Sequence, residues 1–309
     1  MELRDLRYFA VVAEHKNLGR AAEVLDLSAT ALGKSLRRLQ KSVGAKLVQR
    51  TSKGIALTAV GAALLHRISP LQGMLNDVRH EAADLAQGRA GHIHVGTVTG
   101  TNEDRLAYAY VSLLKGSPGI TLKVTVDDNS VLSKSLHKGE FDFCIAGPRS
   151  FSPAEFVVDP LYDAPFVVFA SVHHRLAKRK QLSVTDLAGE RWASSNSTSR
   201  LQWQALFRLF ESNRLPQPVL ALEANSMRVR NIAIAYSNYL GLTNRQILRQ
   251  EMGIYPLAEL PVKEFTYFTP HSIVYRKGAY LSPAALRLIA ILKAQANEMS
   301  DGGHVDRMK

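Results

Sequence analysis

Apolar positions keep a helical period through the first third of the chain and then break into short runs. Leu3, Leu6, Phe9, Ala10 and Ala13 recur at three- and four-residue steps, which predicts an amphipathic helix over residues 3 to about 15. Asn17 stands where a cap belongs for a second helix, Leu18 to Leu25, with Ala21 and Ala22 as its small packing face. After the tight turn Asp26-Leu27, Ser28 caps a third helix carrying Leu32, Leu36, Leu39 and Val43, and Gly44 stops it. Two short helices, a brief turn and a longer basic helix predict a helix-turn-helix. Leu47 to Arg50 and Ile55 to Leu57 flank Thr51-Ser52-Lys53-Gly54, which predicts a short hairpin beside the helices, a wing with a basic tip.

Thr58 caps the next helix, which runs to about Gln87. Within it Leu64, Ile68, Leu71, Leu75, Val78, Ala82 and Leu85 alternate four and three, a coiled-coil seam that predicts pairing with a copy of itself. A helix packed on its own domain is the competing reading. About 30 residues at 1.5 Å each make a rod of roughly 45 Å. Pro70 is expected to kink or break it, and Gly88 and Gly91 form a hinge. From His92 onward the pattern is strand, helix, strand: His92–Val98, Glu103–Leu114, Ile120–Val126, Ser130–His137, Phe141–Ala146. A second series follows with Phe166–Ala170, a helix near Leu182–Leu187, Arg191–Ala193, a helix at Arg200–Glu211 and Val219–Leu222. Alternation of this kind predicts a parallel sheet of βαβ units.

The chain has 309 residues, which predicts two or three domains, and its 46% hydrophobic and 21% charged residues exclude wholesale disorder. Its 39 basic and 27 acidic side chains leave a formal charge of +12. Between Asp26 and Asp77 no carboxylate occurs, while Lys34, Arg37, Arg38, Lys41, Lys46, Arg50, Lys53 and Arg67 do. A solvated helical face normally mixes signs to gain i,i+4 pairs. Nucleic-acid phosphate is therefore the leading partner and an anionic membrane surface the weaker one. Ser28, Ala29, Thr30, Gly33, Lys34 and Arg37 on the third helix are the groove-facing candidates, with Arg38, Lys41, Arg50 and Lys53 alongside them.

The single cysteine, Cys144, excludes a disulfide framework and reads as buried packing. No apolar stretch approaches the roughly 18 residues of a membrane span, and the charged start lacks a signal-peptide core. A reducing, cytoplasmic setting is expected. His92 and His94 share one side of a strand, but two ligands without a third make a weak metal site, so neither metal nor cofactor is expected. No phosphate-binding glycine loop, metalloprotease helix or nucleophile elbow occurs, which argues against an enzyme.

Over nearly its whole length the sequence resembles the LysR-type transcriptional regulators. The resemblance rests on Leu6-Arg7-Tyr8-Phe9, Ala21-Ala22-Glu23-Val24-Leu25, Ser28 with Ala31-Leu32, and Arg38-Leu39. It continues through Gly44, Leu47, Arg50-Thr51, Gly54, Leu57-Thr58 and Gly61. It implies a winged helix-turn-helix dominated by α structure, a long dimerising linker helix, and two Rossmann-like α/β effector subdomains of the periplasmic-binding-protein kind. The expected boundaries are 1–58 for the DNA-binding domain, 59–90 for linker and hinge, and 91–300 for the effector region. Within that region subdomain I takes 91–161 with 266–300, subdomain II takes 162–265, and 301–309 is a polar tail. Homodimers paired through the seam of Leu64, Ile68, Leu71, Leu75, Val78 and Leu85, and commonly assembled further as tetramers, are the implied assembly. The chain departs from the family pattern at Ala29, where a glutamine is usual, and at Gly33, Gln40 and Val48. Alanine cannot read adenine through a bidentate amide contact, so these changes bear on which operator is read.

In the cleft between subdomains three loops are expected to meet a small, anionic effector. They are Thr99-Gly100-Thr101-Asn102, Asp128-Asn129-Ser130, and the polar run including Ser195, Asn196, Ser197 and Thr198; Arg149 supplies charge. Plain helix capping is the alternative for each loop. The expected function is thus a sequence-specific regulator that binds double-stranded DNA and a small molecule. The alternatives are non-specific DNA binding, or an α/β small-molecule-binding protein without regulatory DNA binding.

Overall fold

The computed structural model of the protein describes residues 1–52, 54–87, 91–98, 101–194 and 200–300. At the N-terminus α1 (Leu3–His15), α2 (Leu18–Val24) and α3 (Ala29–Val43) pack into a head. The caps are those the sequence indicates. Asn17 Oδ1 accepts from the N–H groups of Gly19 (2.8 Å) and Arg20 (3.1 Å), and Ser28 Oγ accepts from Ala31 (3.1 Å). Gly44 ends α3 with φ of 75°. The small Ala21 and Ala22 let α2 close on Val12 and Leu32, while Leu6, Phe9, Leu36 and Leu39 form the adjoining cluster.

The wing is the antiparallel pair β1 (Val48–Thr51) and β2 (Gly54–Leu57), with Arg50 opposite Ile55. Ile55 N–H donates to Lys16 O (2.8 Å), which ties the wing to the end of α1. The long helix α4 (Ala59–Gln87) begins against this hairpin. Thr58 Oγ1 accepts from Gly61 N–H (3.0 Å) and donates to Lys46 O (2.7 Å). A Cβ at Gly61 would lie 2.0 Å from Leu47 O, so only glycine permits this approach. Of the expected kink or break at Pro70, the break does not occur, since α4 is continuous from Ala59 to Gln87. The helix is gripped on both sides of the proline, by Ile68 in the head's core and by Gly73 against Gly139, so the one lost backbone bond does not open it.

The rest of the chain forms one nine-stranded mixed sheet rather than a parallel one. In the first lobe β3 (His92–Thr97) pairs in parallel with β4 (Thr121–Val126) and β5 (Phe143–Ala146). In the second lobe β7 (Arg191–Ser194) pairs in parallel with β8 (Val219–Glu223) and β9 (Tyr239–Asn244). The antiparallel part comes from two long strands, β6 (Phe156–Ser171) and β11 (Tyr267–Arg276). They pair with each other from Phe156↔Arg276 to Phe166↔Tyr267, shifting register at His271/Ser272. Beyond that pairing β6 continues into the second lobe beside β9 and β10 (Leu257–Leu260).

Helices cover both faces. In the first lobe α5 (Thr101–Gly116) and α10 (Pro283–Ser300) bury Leu106, Leu113, Leu288 and Leu292 on one side. On the other side α6 (Asn129–His137) packs Leu132 and Leu136 on Phe141, Cys144 and Phe156. In the second lobe α7 (Arg200–Ser212) covers Trp192 with Trp203 and Leu206, and the two indoles meet edge-on at 5.5 Å. Opposite it, α8 (Met227–Ala235) and α9 (Arg245–Glu251) enclose Phe169 with Ile234 and Leu248. The sequence pattern assigns nothing between Val219–Leu222 and the return strand. Elements α8, β9, α9 and β10 occupy that interval as pieces too short to sustain a period.

Two helix glycines make opposite predictions. Gly61→Ala forces the start of α4 off Leu47 and lowers stability by about 1–3 kcal/mol, the usual cost of overpacking. Gly33 faces only Leu18 Cδ2, at 3.9 Å from where a Cβ would sit. Gly33→Ala therefore raises stability by about 0.5–1 kcal/mol. Urea midpoints of the two variants measure both signs, and equal changes would show that the helix–strand contact is not set by Gly61.

Candidate functional site

On α3 the apolar residues face inward, and Thr30, Lys34, Arg37 and Lys41, spaced four, three and four, form an exposed stripe on the outer side. Ser28 and Ala29 are exposed at its N-terminus and Arg50 on the wing; Gly33 is half-buried. Cations on a helix whose N–H ends also face solvent suit a phosphodiester backbone. Lys53, at the wing tip, lies outside the described residues.

Arg38 is placed differently. Asp5, at 1% exposure, accepts hydrogen bonds from Ser35 Oγ (2.6 Å), from Arg38 Nε (2.8 Å) and from Arg38 Nη2. The Arg38 guanidinium, helped by the Ser35 hydroxyl, holds the Asp5 carboxyl below the usual carboxylate range despite burial. Arg38 thus ties α1 to α3 while its side chain stays half-exposed, next to Lys34 and Lys41 on the helix surface. Gln40, in the position usually occupied by glutamate, also acts locally, since its Oε1 accepts from Leu47 N–H (2.8 Å).

Of the expected seam residues, Leu64 and Ile68 pack into the head's own core. Leu71, Leu75 and Val78 are exposed at 43%, 42% and 62%. The Leu85 side chain lies outside the described residues. Leu71 and Leu75 line a cavity of about 600 Å³ between α4 and α1, together with Leu3 and Tyr8.

A second cavity, of about 790 Å³, lies on the crossing strands β6 and β11, between α5 of one lobe and the start of α9 in the other. Arg105 is its main feature. At 8% exposure it donates from Nη2 to Gln246 Oε1 (3.0 Å) and places its guanidinium over the Tyr162 ring at 4.1 Å. Its Nε and Nη1 are buried with no hydrogen-bond partner among the described residues. An unsatisfied buried guanidinium costs free energy that an anionic oxygen would recover. His271 stacks on Tyr162 at 5.0 Å. Burial, and secondarily the neighbouring Arg105, push its pKa down to about 4, so it is neutral near pH 7. Arg245 and Arg249 also line the cavity, although Arg245 is paired with Glu259.

The sequence pattern singles out none of these residues. The available signal was positional: Arg105 stands four before Ala109 and eight before Leu113, a cation on the apolar stripe of its helix. The expected effector residues are placed as follows. Asn129 Oδ1 accepts from Gly147 N–H (3.1 Å), bracing the end of β5, and Asp128 N–H donates to Asp127 Oδ1 (2.8 Å). Ser130 and Arg149 are exposed. Among these four, none lines the cavity. Thr99, Gly100, Ser195, Asn196, Ser197 and Thr198 lie outside the described residues, as do the side chains of Thr101 and Asn102. His94 Nε2 meets Thr125 Oγ1 at 3.0 Å and His92 Nδ1 meets Thr121 Oγ1, so both rings are engaged with β4. Cys144 is buried, and burial pushes its thiol far above the usual range.

Comparison with known proteins bears on both ends of the chain. Residues 3–62 match the family model described as "Bacterial regulatory helix-turn-helix protein, lysR family", and residues 86–297 match "LysR substrate binding domain". The SDS degradation transcriptional activation protein of Pseudomonas sp. (strain ATCC 19151) is 27% identical over 92% of this chain and 93% of its own. The structure of a full-length OxyR variant from Pseudomonas aeruginosa has a TM-score of 0.64 at 20% identity, covering 96% and 95% of the two chains. The crystal structure of full-length CbnR complexed with its target DNA has a TM-score of 0.54 at 18% identity, covering 96% of this chain and 100% of that one.

The Asp5 cluster carries a pH signature. Because the folded pKa is depressed, its stabilisation is present above the unfolded value of about 3.9 and is lost as pH falls through the folded value. Asp5→Asn is therefore less stable than the parent at neutral pH, and the gap closes on acidification. Urea midpoints from about pH 7 to about pH 3 measure it. A constant gap would mean that Asp5 acts through shape and not charge.

Proposed function

Because this chain belongs to the LysR family of bacterial transcriptional regulators, we propose that its head reads duplex DNA through α3 while an anionic small molecule binds between its lobes. The DNA contacts are Ser28, Ala29, Thr30, Gly33, Lys34, Arg37 and Lys41, with Arg50 and Lys53 on the wing gripping phosphate. Arg38, half-exposed beside Lys34 and Lys41, belongs to the same contact surface while its guanidinium ties α3 to α1 through Asp5. A related structure was solved on its target DNA, which supports the same docking here.

One observation carries the ligand reading: Arg105, buried in the interlobe cavity with Nε and Nη1 unpartnered among the described residues. A carboxylate or similar oxyanion satisfies both N–H groups at once, and neutral His271 and Ser272 offer further polar contacts. The loops Thr99–Asn102, Asp128–Ser130 and Ser195–Thr198, with Arg149, are the further effector contacts in this reading. The domain division that suits it is head 1–58, linker 59–90, subdomain I 91–161 with 266–300, subdomain II 162–265, and tail 301–309. Self-association through Leu71, Leu75 and Val78 places two heads on one operator. Coupling requires that the ligand bind two arrangements of lobes and heads with different affinity.

The role is regulatory and not enzymatic, in the cytoplasm, where DNA is the partner. No helix among the described residues is long and apolar enough to cross a membrane.

Fluorescence anisotropy against the chain's own upstream duplex and a scrambled duplex, at two salt concentrations, tests the DNA reading. Tighter binding to the upstream duplex and a steep salt dependence are expected. Arg37→Ala should cost about 1–3 kcal/mol, and Lys34→Ala should lower the salt slope by about one. Arg105→Met should leave duplex affinity unchanged and abolish the thermal stabilisation that a panel of small carboxylates gives the parent. Equal affinity for both duplexes would sink specific reading, and carboxylate stabilisation surviving Arg105→Met would sink the anion site.

A further inference from the structure

We propose that His66, His137 and Glu155 form a transition-metal site that clasps the long helix α4 to the first lobe. The candidate ligand atoms of the three residues all lie within 4.8 Å of one another. They come from three elements: His66 from α4, His137 from the last turn of α6, and Glu155 from the turn that enters β6. Two imidazoles and one carboxylate are a donor set for Zn²⁺ and its Co²⁺ and Ni²⁺ relatives, with a fourth position left for water. Tetrahedral metal–nitrogen bonds of about 2.0–2.1 Å set ligand atoms roughly 3.4 Å apart, inside the present 4.8 Å envelope, which leaves a gap to close. His66 is exposed, so its ring is free to close that gap and the ion can enter from solvent.

The surrounding contacts hold the three residues in place without metal. On α4, Gly73 and Asp77 follow His66 by seven and eleven residues and so share its face. A Cβ at Gly139 would lie 2.7 Å from Gly73 Cα, a backbone-to-backbone approach that brings α4 down beside the end of α6. Asn76 Nδ2 donates to Gly139 O (3.3 Å) and Lys138 O (3.4 Å), and Asp77 pairs with Arg276 at 2.6 Å. Glu155 is braced through its backbone, donating to Ser152 O (3.0 Å) and accepting from Lys277 N–H (2.9 Å).

The His137 and His66 rings stack at 6.1 Å with 12° between planes. A neutral imidazole presents a lone pair to a cation. Asp77 neutralises Arg276, the nearby positive charge that would otherwise repel one. An ion here stabilises the arrangement in which α4 lies on the lobe. Metal would thereby bias the geometry that joins the head to the ligand cleft, from a place distinct from both.

The test uses the untagged full-length protein stripped with a chelator and titrated with Co²⁺. One equivalent per chain, with visible ligand-field bands displaced by Zn²⁺, is expected. His66→Ala, His137→Ala and the isosteric Glu155→Gln should each weaken binding at least about tenfold, and His94→Ala should not. Circular-dichroism melts without metal check that each variant folds. Zn²⁺ should also slow tryptic cleavage at Arg67 and Arg79 in the parent but not in His66→Ala. Absence of a stoichiometric Co²⁺ spectrum in the parent overturns the site. Undiminished affinity in His66→Ala overturns the clasp between helix and lobe. Neither readout requires DNA or effector, so failure here is distinct from failure of the regulatory reading.

Discussion

The antiparallel pairing of β6 with β11 is the constraint on which the C-terminal architecture depends. Ten paired positions carry the chain from the first lobe to the second and back. That ladder joins two otherwise parallel sub-sheets into one sheet, and its register shift at His271/Ser272 turns side chains toward the space between lobes. Tyr162 and His271 stack there, and Arg105 is buried against them. The cavity floor is therefore the connection itself. Any ligand bound on it touches the segment whose twist relates the lobes, which gives ligand binding a direct mechanical route to lobe geometry.

The helix α4 is constrained from two sides, each by a different chemistry. Leu64, Leu65 and Ile68 insert into the head. Gly73, Asn76 and Asp77 meet the first lobe through close backbone approach, amide hydrogen bonds and a largely buried ion pair. Leu71, Leu75 and Val78 remain exposed on the rest of the surface. A strict heptad read as one seam thus divides between an intramolecular core near the head and an uncovered apolar strip further along. The same helix carries His66 on its lobe-facing side, so a change at that contact alters the position of both the head and the exposed strip.

Within the head, the acid-free basic segment also divides by direction. Lys34, Arg37 and Lys41 face outward, whereas Arg38 turns to the buried Asp5, outside the segment. The ion pair neutralises one half-exposed cation and ties α1 to α3. That tie sets how α3 projects from the head.

The local rules of the sequence determined the head almost completely. Asn17, Ser28, Thr58 and Gly44 cap what their side chains and backbone freedom allow them to cap, and Leu32, Leu36 and Leu39 face inward because their spacing is helical. The helix–strand alternation of the larger region was legible for the same reason. The expected parallel pairing holds within each lobe, but the sheet as a whole is mixed, because strand direction across a crossing depends on where β6 and β11 meet, residues more than a hundred apart in sequence. Among the polar loop residues expected in the cleft, Asn129 accepts a hydrogen bond from Gly147 N–H, a contact its position in the sequence does not reveal. Arg105 looked like an ordinary helical cation. Only the packing of α5 against the crossing strands and α9 decided that its guanidinium is buried and unsatisfied, since burial and orphaned hydrogen bonds are properties of three-dimensional neighbours and leave no periodic trace.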